Sequence, residues 1–128
     1  MPSIMPKAYG AEVVSHSSVT TKSLTTSQLR RIFSMRQVRW ADNQPIVVFV
    51  LSSQNDLHQE FCKLNLQIFP YQLDRIWNKL TFSGLGTAPF IVETEDELIE
   101  KIKSTPGAIG YVRKYSKDSG IDVIKISN

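Results

Sequence analysis

Residues 46–61 read IVVFVLSSQNDLHQEF, an apolar run that passes through a short polar loop into a helical pattern. The first six residues are apolar and mostly β-branched, which indicates a central strand buried on both faces, as in a sheet covered by helices. Leu57, Phe61 and Leu64 then recur at i, i+4 and i+7, which predicts a helix with these side chains on its apolar face. A strand, a short polar loop and a helix in this order form half of a βαβ unit.

Three further helices are predicted from their first residues and apolar periodicity. Thr25, with a glutamine three residues later, has the spacing of a capping box and opens a helix that should end near Met35. Thr94, with a glutamate three residues later, opens another helix in the same way. Pro70 suits the first turn of a helix, where its missing N–H costs nothing. Each helix carries an apolar face that must be covered by other elements.

Four further segments have the composition of strands, namely residues 12–19, 90–92, 108–112 and 122–126. The polar segment 114–120 separates the last two, which predicts that they pair as a hairpin. Strands that alternate with amphipathic helices predict an α/β fold. We therefore expect a single three-layer domain with a mixed, mostly parallel sheet flanked by helices.

The length and composition of the chain suit one globular domain, which we place at residues 12–128. At 128 residues, folding should bury roughly two-thirds of the surface exposed by the unfolded chain, so no disulfide or metal staple is required. No apolar run approaches the roughly 20 residues that cross a bilayer, so no membrane span is predicted.

The charge of the chain is mildly basic, with 15 Lys and Arg against 12 Asp and Glu. This balance favours an anionic partner without specifying one. The densest basic group comprises Arg30, Arg31, Arg36 and Arg39, with Trp40 beside it. Dedicated nucleic-acid binders have a denser stripe, so a solvated surface is the favoured interpretation and no nucleic-acid partner is predicted.

Residues 1–11 do not resemble the start of a folded element. Small residues stand at Ala8, Gly10 and Ala11, as a signal peptidase requires, although the charged and apolar regions of a signal peptide are missing. We interpret 1–11 as the residual tail of a signal peptide. A frayed N-terminus of a cytosolic protein is the alternative.

Residues with catalytic or metal-binding chemistry are few, and no enzyme, cofactor or metal site is predicted. No phosphate-binding glycine loop, metalloprotease motif or nucleophile elbow is present. His16 and His58 lack metal-ligand spacing and are interpreted as structural or surface residues. Cys62 is the only cysteine, which excludes an intramolecular disulfide, and burial is favoured. His58 lies one helical turn before it, which leaves a nucleophile as the weaker alternative.

The polar loop after the central strand is the candidate binding site and comprises Ser52, Ser53, Gln54 and Asn55. Backbone N–H groups and the helix dipole make such a loop a general anion site, and ligands of open α/β sheets bind at this end of the strands. The favoured alternative is capping, in which Ser53 with Asp56 serves only the helix.

Four stretches resemble phosphate-type periplasmic substrate-binding proteins, in the same order along the chain. They are residues 29–40 (LRRIFSMRQVRW), 46–61, 77–86 (WNKLTFSGLG) and 105–112 (TPGAIGYV). The last is similar to the family's own motif almost letter for letter. The resemblance implies a type 2 periplasmic-binding-protein fold, export to the periplasm and delivery of an anion to an ABC transporter. Full members clamp their ligand between two lobes, and this chain has the length of one, resembling the second.

The resemblance also identifies two departures at the ligand site. Leu51 stands where the family has an arginine that pairs with phosphate, and residues 55–57 read Asn-Asp-Leu where the family has Ser-Gly-Thr. The bidentate cation is absent and a carboxylate has entered. We therefore expect a non-enzymatic, solute-binding-like protein with weakened or lost phosphate binding. The alternative is a protein-interaction module, in which the lobe docks a partner protein or a second copy.

Overall fold

The computed structural model describes residues 11–116 and 120–128. The strands are β1 (Glu12–Ser15), β2 (Ser23–Thr25), β3 (Val47–Leu51), β4 (Phe90–Val92), β5 (Ala108–Val112), β6 (Asp122–Val123) and β7 (Lys125–Ser127). The helices are α1 (Thr26–Phe33), α2 (Asp56–Glu60), α3 (Pro70–Ser83) and α4 (Glu95–Ser104), and a π-helical segment (Phe61–Leu66) continues α2. Across these ranges, every helix falls short of the length and apolarity that crossing a bilayer requires.

The predicted N-terminal tail, residues 1–11, lies outside the described residues except for Ala11. This residue is buried, and its backbone exchanges two hydrogen bonds with Asn65. The Ala11 N–H donates to Asn65 Oδ1 at 2.8 Å, and Asn65 Nδ2 donates to the Ala11 carbonyl at 2.9 Å.

The main sheet has five strands in the order β4-β3-β5-β1-β6. β3 runs parallel to both β4 and β5, whereas β1 runs antiparallel to β5 and β6. β2 and β7 pair in parallel as a small second sheet, so three of the five pairings among the described strands are parallel. The predicted α/β fold with a mixed sheet is confirmed.

The predicted hairpin of the last strands is wrong. β5 lies between β3 and β1, with every residue buried, and β6 instead pairs with the outer side of β1. The reason is burial, because a strand of five buried residues needs a partner on each side to satisfy its backbone and cover its apolar side chains.

The helices cover both faces of the sheet, as two adjacent residues of β5 demonstrate. Tyr111 stacks on Phe61 with ring centroids 4.1 Å apart, on the face covered by α1 and the π-helical segment. Gly110 points to the opposite face, where a Cβ atom would lie 2.6 Å from Ile102 Cδ1 of α4. Since successive strand residues face opposite sides, α4 lies across the sheet from the other helices. The glycine permits the close approach of α4 to the sheet.

The capping boxes predicted from the sequence differ in completeness. Thr25 Oγ1 accepts from the Gln28 N–H at 3.1 Å and Gln28 Oε1 accepts from the Thr25 N–H at 2.8 Å, so this box is complete. Thr94 accepts from the Glu97 N–H at 3.1 Å, but Glu97 reaches back to the Glu93 N–H instead. Both threonines begin their helices as predicted, and Pro70 occupies the first turn of α3.

The helix after the polar loop contains a change of helical type that the sequence pattern did not indicate. Leu64, predicted on the buried face, is 43% exposed, whereas Leu66 is fully buried. A π-helical turn carries an additional residue, so the position that follows Phe61 on the same face is five residues later rather than three. The assignment of Leu64 to the core is therefore wrong.

Candidate functional site

The polar loop Ser52–Asn55 lies at the carboxyl end of β3, where the sequence placed it. Ser52, Ser53 and Asn55 are half-buried and Gln54 is exposed. Because β3 and β4 are parallel, their carboxyl ends lie at the same edge of the sheet. The four predicted site residues are thus brought together at the edge where open α/β sheets bind ligands.

Hydrogen bonds within the loop occupy several of its polar groups. Asn55 Oδ1 accepts from the Leu57 N–H at 2.8 Å and from the His58 N–H at 3.4 Å, so Asn55 is the N-cap of α2. The predicted cap, Ser53 with Asp56, is wrong. Asp56 is the first residue of α2, so the N-cap is the residue directly before it, Asn55. Asn55 binds the same backbone donors that would otherwise face an anion.

Leu51, at the arginine position of the resemblance, belongs to the core. It is 1% exposed, and its N–H donates to Tyr111 Oη at 2.8 Å. The end of β3 is therefore closed by an apolar side chain and by a hydrogen bond from the neighbouring strand. No charged side chain extends from this position.

A buried chain of side-chain hydrogen bonds lies directly beneath the loop. Tyr111 Oη lies 2.6 Å from His58 Nδ1, and Cys62 Sγ lies 3.5 Å from His58 Nε2. Tyr111 accepts from the Leu51 N–H, so its own O–H is available to donate to Nδ1. The imidazole is then neutral, with its proton on Nε2 directed at Cys62. The network links the end of β3 to the first turn of α2.

Burial keeps all three groups in this network uncharged at neutral pH. Desolvation lowers the pKa of His58, and the Asp74 carboxylate opposes part of this effect. Desolvation together with Asp74 raises the pKa of the Cys62 thiol to about 12. Desolvation likewise raises the pKa of Tyr111 above its usual range. Since the thiolate is the nucleophilic form of cysteine, the pair is structural, and the predicted burial of Cys62 is confirmed.

On its outer side the loop borders a cavity of about 330 Å³ between α3 and β4. Its lining residues are Ser53, Asp74, Trp77, Asn78, Thr81, Ala88, Pro89 and Ile91. Of the four predicted site residues, only Ser53 lines it. The polar residues of α3 were missed by the sequence analysis, although 74, 77, 78 and 81 share one helical face by their i, i+3, i+4, i+7 spacing.

Next to this cavity, the end of α3 and the start of β4 expose four large apolar side chains. Their exposed fractions are 89% for Phe82, 85% for Leu85, 61% for Phe90 and 64% for Ile91. Phe90 and Ile91 are consecutive in β4 and therefore face opposite sides of the sheet, so the four side chains do not form one continuous apolar surface. β4 is also one of the two edge strands of the main sheet.

Among residues 11–116 and 120–128, no group of three or more His, Cys, Asp or Glu side chains is arranged to hold a metal ion. His16 Nδ1 lies within hydrogen-bond distance of Ser18 Oγ, at 2.8 Å, and His58 belongs to the buried network with Tyr111 and Cys62.

Solved structures of phosphate-transport proteins share this fold. A putative phosphate ABC transporter substrate-binding protein from Clostridium perfringens, solved with bound phosphate, has a TM-score of 0.73 and 17% identity, over 91% of this chain and 44% of its own. An ABC-type phosphate transport receptor from Vibrio cholerae has a TM-score of 0.70 and 15% identity, over 91% and 46%. PstS from Borrelia burgdorferi has a TM-score of 0.68 and 18% identity, over 91% and 47%.

The chain spans less than half the length of each of these three proteins. At these identities the likeness shows the fold, that of a substrate-binding-protein lobe, and the three neighbours are transport proteins rather than enzymes. No protein-family model and no curated protein sequence matches the chain.

Proposed function

We propose that the chain is a non-enzymatic, solute-binding-like lobe, related to the substrate-binding component of phosphate ABC transporters, whose affinity for phosphate is weak or lost. The observation that carries the proposal is the end of β3. Leu51 is buried there, and its N–H is bonded to Tyr111. In the family this chain resembles, an arginine extends from that position to the anion.

The remaining donors at the loop do not replace that arginine. The Leu57 and His58 N–H groups are bonded to Asn55, and the cavity beside Ser53 is lined by no Lys or Arg. A hydrogen bond to a charged group contributes about 1.5–3 kcal/mol, so losing a bidentate arginine weakens anion binding by at least about tenfold. Asp56, exposed in the first turn of α2, adds repulsion.

The proposal includes export to the periplasm, with the residues before Ala11 as the residual tail of a signal peptide, since Ala11 itself is buried in the fold. Its support is the resemblance of the sequence together with the fold shared with transport receptors. Detecting the chain in a periplasmic extract, with a mature N-terminus near residue 11, tests this part. Recovery with an intact Met1 from the cytosol would overturn it.

Titration calorimetry with sodium phosphate and sodium sulfate tests the binding proposal, with sodium chloride at equal ionic strength as the control. We expect no saturable heat from either oxyanion, which corresponds to a dissociation constant weaker than about 1 mM. Saturable phosphate binding in the micromolar range would refute the loss of affinity.

Exposed apolar side chains at and just after the end of α3, Phe82 and Leu85, support a second candidate, a protein-interaction module. Standard interfaces bury about 800 Å² per partner, so Phe82 and Leu85 account for only part of such a surface. Light scattering after size exclusion, comparing the parent with the variant Phe82→Ser/Leu85→Ser, tests whether two copies pair through it. If the parent protein is monomeric, two copies do not pair through this surface, and the interaction module would require a different protein as its partner.

A further inference from the structure

We infer that the cavity between α3 and β4 is a binding site for a small organic ammonium ion. This inference rests on the proposed function, since it names the class of solute that the lobe takes in place of an oxyanion. It depends on three features of the cavity wall, which are its charge, its aromatic and apolar surface and its free polar groups.

The charge of the cavity is negative and uncompensated. Asp74 is half-buried, and its carboxylate makes no hydrogen bond or ion pair with any of residues 11–116 or 120–128. It is the only charged residue in the lining. A carboxylate at the edge of the low-dielectric interior attracts a cation more strongly than one in open water and repels an anion.

The field of Asp74 also reaches the interior, since it acts to raise the pKa of both His58 and Cys62. Neither of these groups carries a compensating positive charge at neutral pH. The carboxylate therefore has no partner on its inner side, and a cation would have to arrive from the cavity.

The aromatic and apolar part of the wall suits the carbon atoms of such an ion. Trp77 lines the cavity, and its indole is held in place because Nε1 donates to the Phe33 carbonyl at 2.8 Å. Trp77 is 6% exposed, so its indole borders the cavity without presenting an open ring face, and its contribution to such an ion is apolar contact. Pro89 and Ile91 of the opposite wall offer apolar contact to methyl or methylene groups.

Polar groups in the wall remain available for hydrogen bonds. The side chains of Ser53 and Asn78 bond to no residue in the described part of the chain. Thr81 Oγ1 donates to the Trp77 carbonyl at 3.0 Å, which leaves its lone pairs free to accept. Ligand sites typically have an apolar wall with a few convergent polar groups, as this cavity has. Its volume of about 330 Å³ lies at the small end of their range, roughly 300–1,000 Å³.

The same wall is unsuited to an inorganic divalent cation. Calcium takes about six to eight oxygen ligands, and Asp74 is the only carboxylate in the lining. The apolar wall can contribute to the binding energy only if the cation carries an organic part, such as methyl or methylene groups.

The test is NMR titration of the ¹⁵N-labelled full chain with tetramethylammonium chloride, n-propylammonium chloride and, as controls, sodium chloride and tert-butanol. We expect saturable shifts of the Trp77 indole N–H with at least one ammonium ion and none with either control. Equal shifts with tert-butanol, or no saturable shift with either ammonium ion, would overturn the inference.

Three variants make the test specific for charge. Asp74→Asn, which keeps the shape of the side chain and breaks no hydrogen bond, should weaken ammonium binding at least tenfold. Asn78→Asp, which adds a second carboxylate to the wall, should strengthen it. Asp56→Asn removes an exposed carboxylate outside this cavity and should change the affinity by less than about twofold. Unchanged binding by Asp74→Asn would overturn the inference.

The outcome is independent of the phosphate titration. A chain that binds neither phosphate nor an ammonium ion refutes the cation site and leaves the loss of phosphate affinity standing. Micromolar phosphate binding refutes the proposed function, whatever the ammonium ions do.

Discussion

The two sides of the loop Ser52–Asn55 differ in how their polar groups are used. On the inner side, the Leu51 N–H, Tyr111 and His58 are linked in one buried network. On the outer side, Asp74 and Asn78 line a cavity without a partner in the described part of the chain. The inner side uses its donors in internal hydrogen bonds, whereas the outer side leaves a carboxylate and an amide group facing the cavity. The proposed preference of the site for a cation over an anion rests on this difference rather than on the loop sequence alone.

The largest effect is expected from the inner side, with Tyr111→Phe. Loss of the hydroxyl leaves the buried Leu51 N–H and His58 Nδ1 without their partner, at about 1–3 kcal/mol for each buried group. We expect the free energy of unfolding to fall by about 2–4 kcal/mol in urea denaturation.

Tyr71→Phe is the matched control, because Tyr71 is exposed and its hydroxyl makes no hydrogen bond with the described residues. It should change the stability by less than about 0.5 kcal/mol. If both variants lose the same stability, the buried network does not support the loop.

The second effect is on the pH dependence of stability. Since burial lowers the pKa of His58, the folded state binds fewer protons than the unfolded state, whose histidine titrates near its usual value of 6.5. The stabilising contribution is therefore complete above about pH 6.5 and is lost as the pH falls below it, by up to about 1.4 kcal/mol per pH unit.

His58→Gln isolates this contribution, because the carboxylates titrate in both proteins. Urea midpoints measured between about pH 5 and pH 7.5 should rise more steeply with pH in the parent than in the variant. Parallel profiles would show that His58 is not buried in its neutral form.

The smallest of these effects is expected from Asn55→Ala, which removes the N-cap of α2. Losing a cap typically costs about 1 kcal/mol, and we expect that loss in urea denaturation. Gln54→Ala, at the exposed neighbour, should cost less than about 0.5 kcal/mol. A stability loss from Gln54→Ala that matched Asn55→Ala would place the cap elsewhere in the loop.

Much of the fold could be predicted because its signals are local. The apolar run ending at Leu51 predicted a buried strand, and Thr25 predicted the first residue of a helix through its capping box. These signals depend on neighbours within a few residues. The hairpin prediction was wrong because β5 pairs with β1, a segment almost a hundred residues away, and no local sequence pattern indicates that pairing. The prediction that Leu64 is buried was wrong because a π-helical turn shifts every later side chain away from the face predicted by the α-helical period of 3.6 residues.

The sequence by itself determined that this is an α/β lobe with a polar loop after a central strand, because periodicity and caps act over a few residues. It also established that Leu51 supplies no charge to that loop, since residue identity is independent of packing. Only the tertiary structure decided which residue caps α2, that His58 lies against Tyr111, and that Asp74 faces a cavity beside Ser53. Those outcomes depend on how α2 and α3 pack against the sheet, which gives His58 a partner and leaves Asp74 without one.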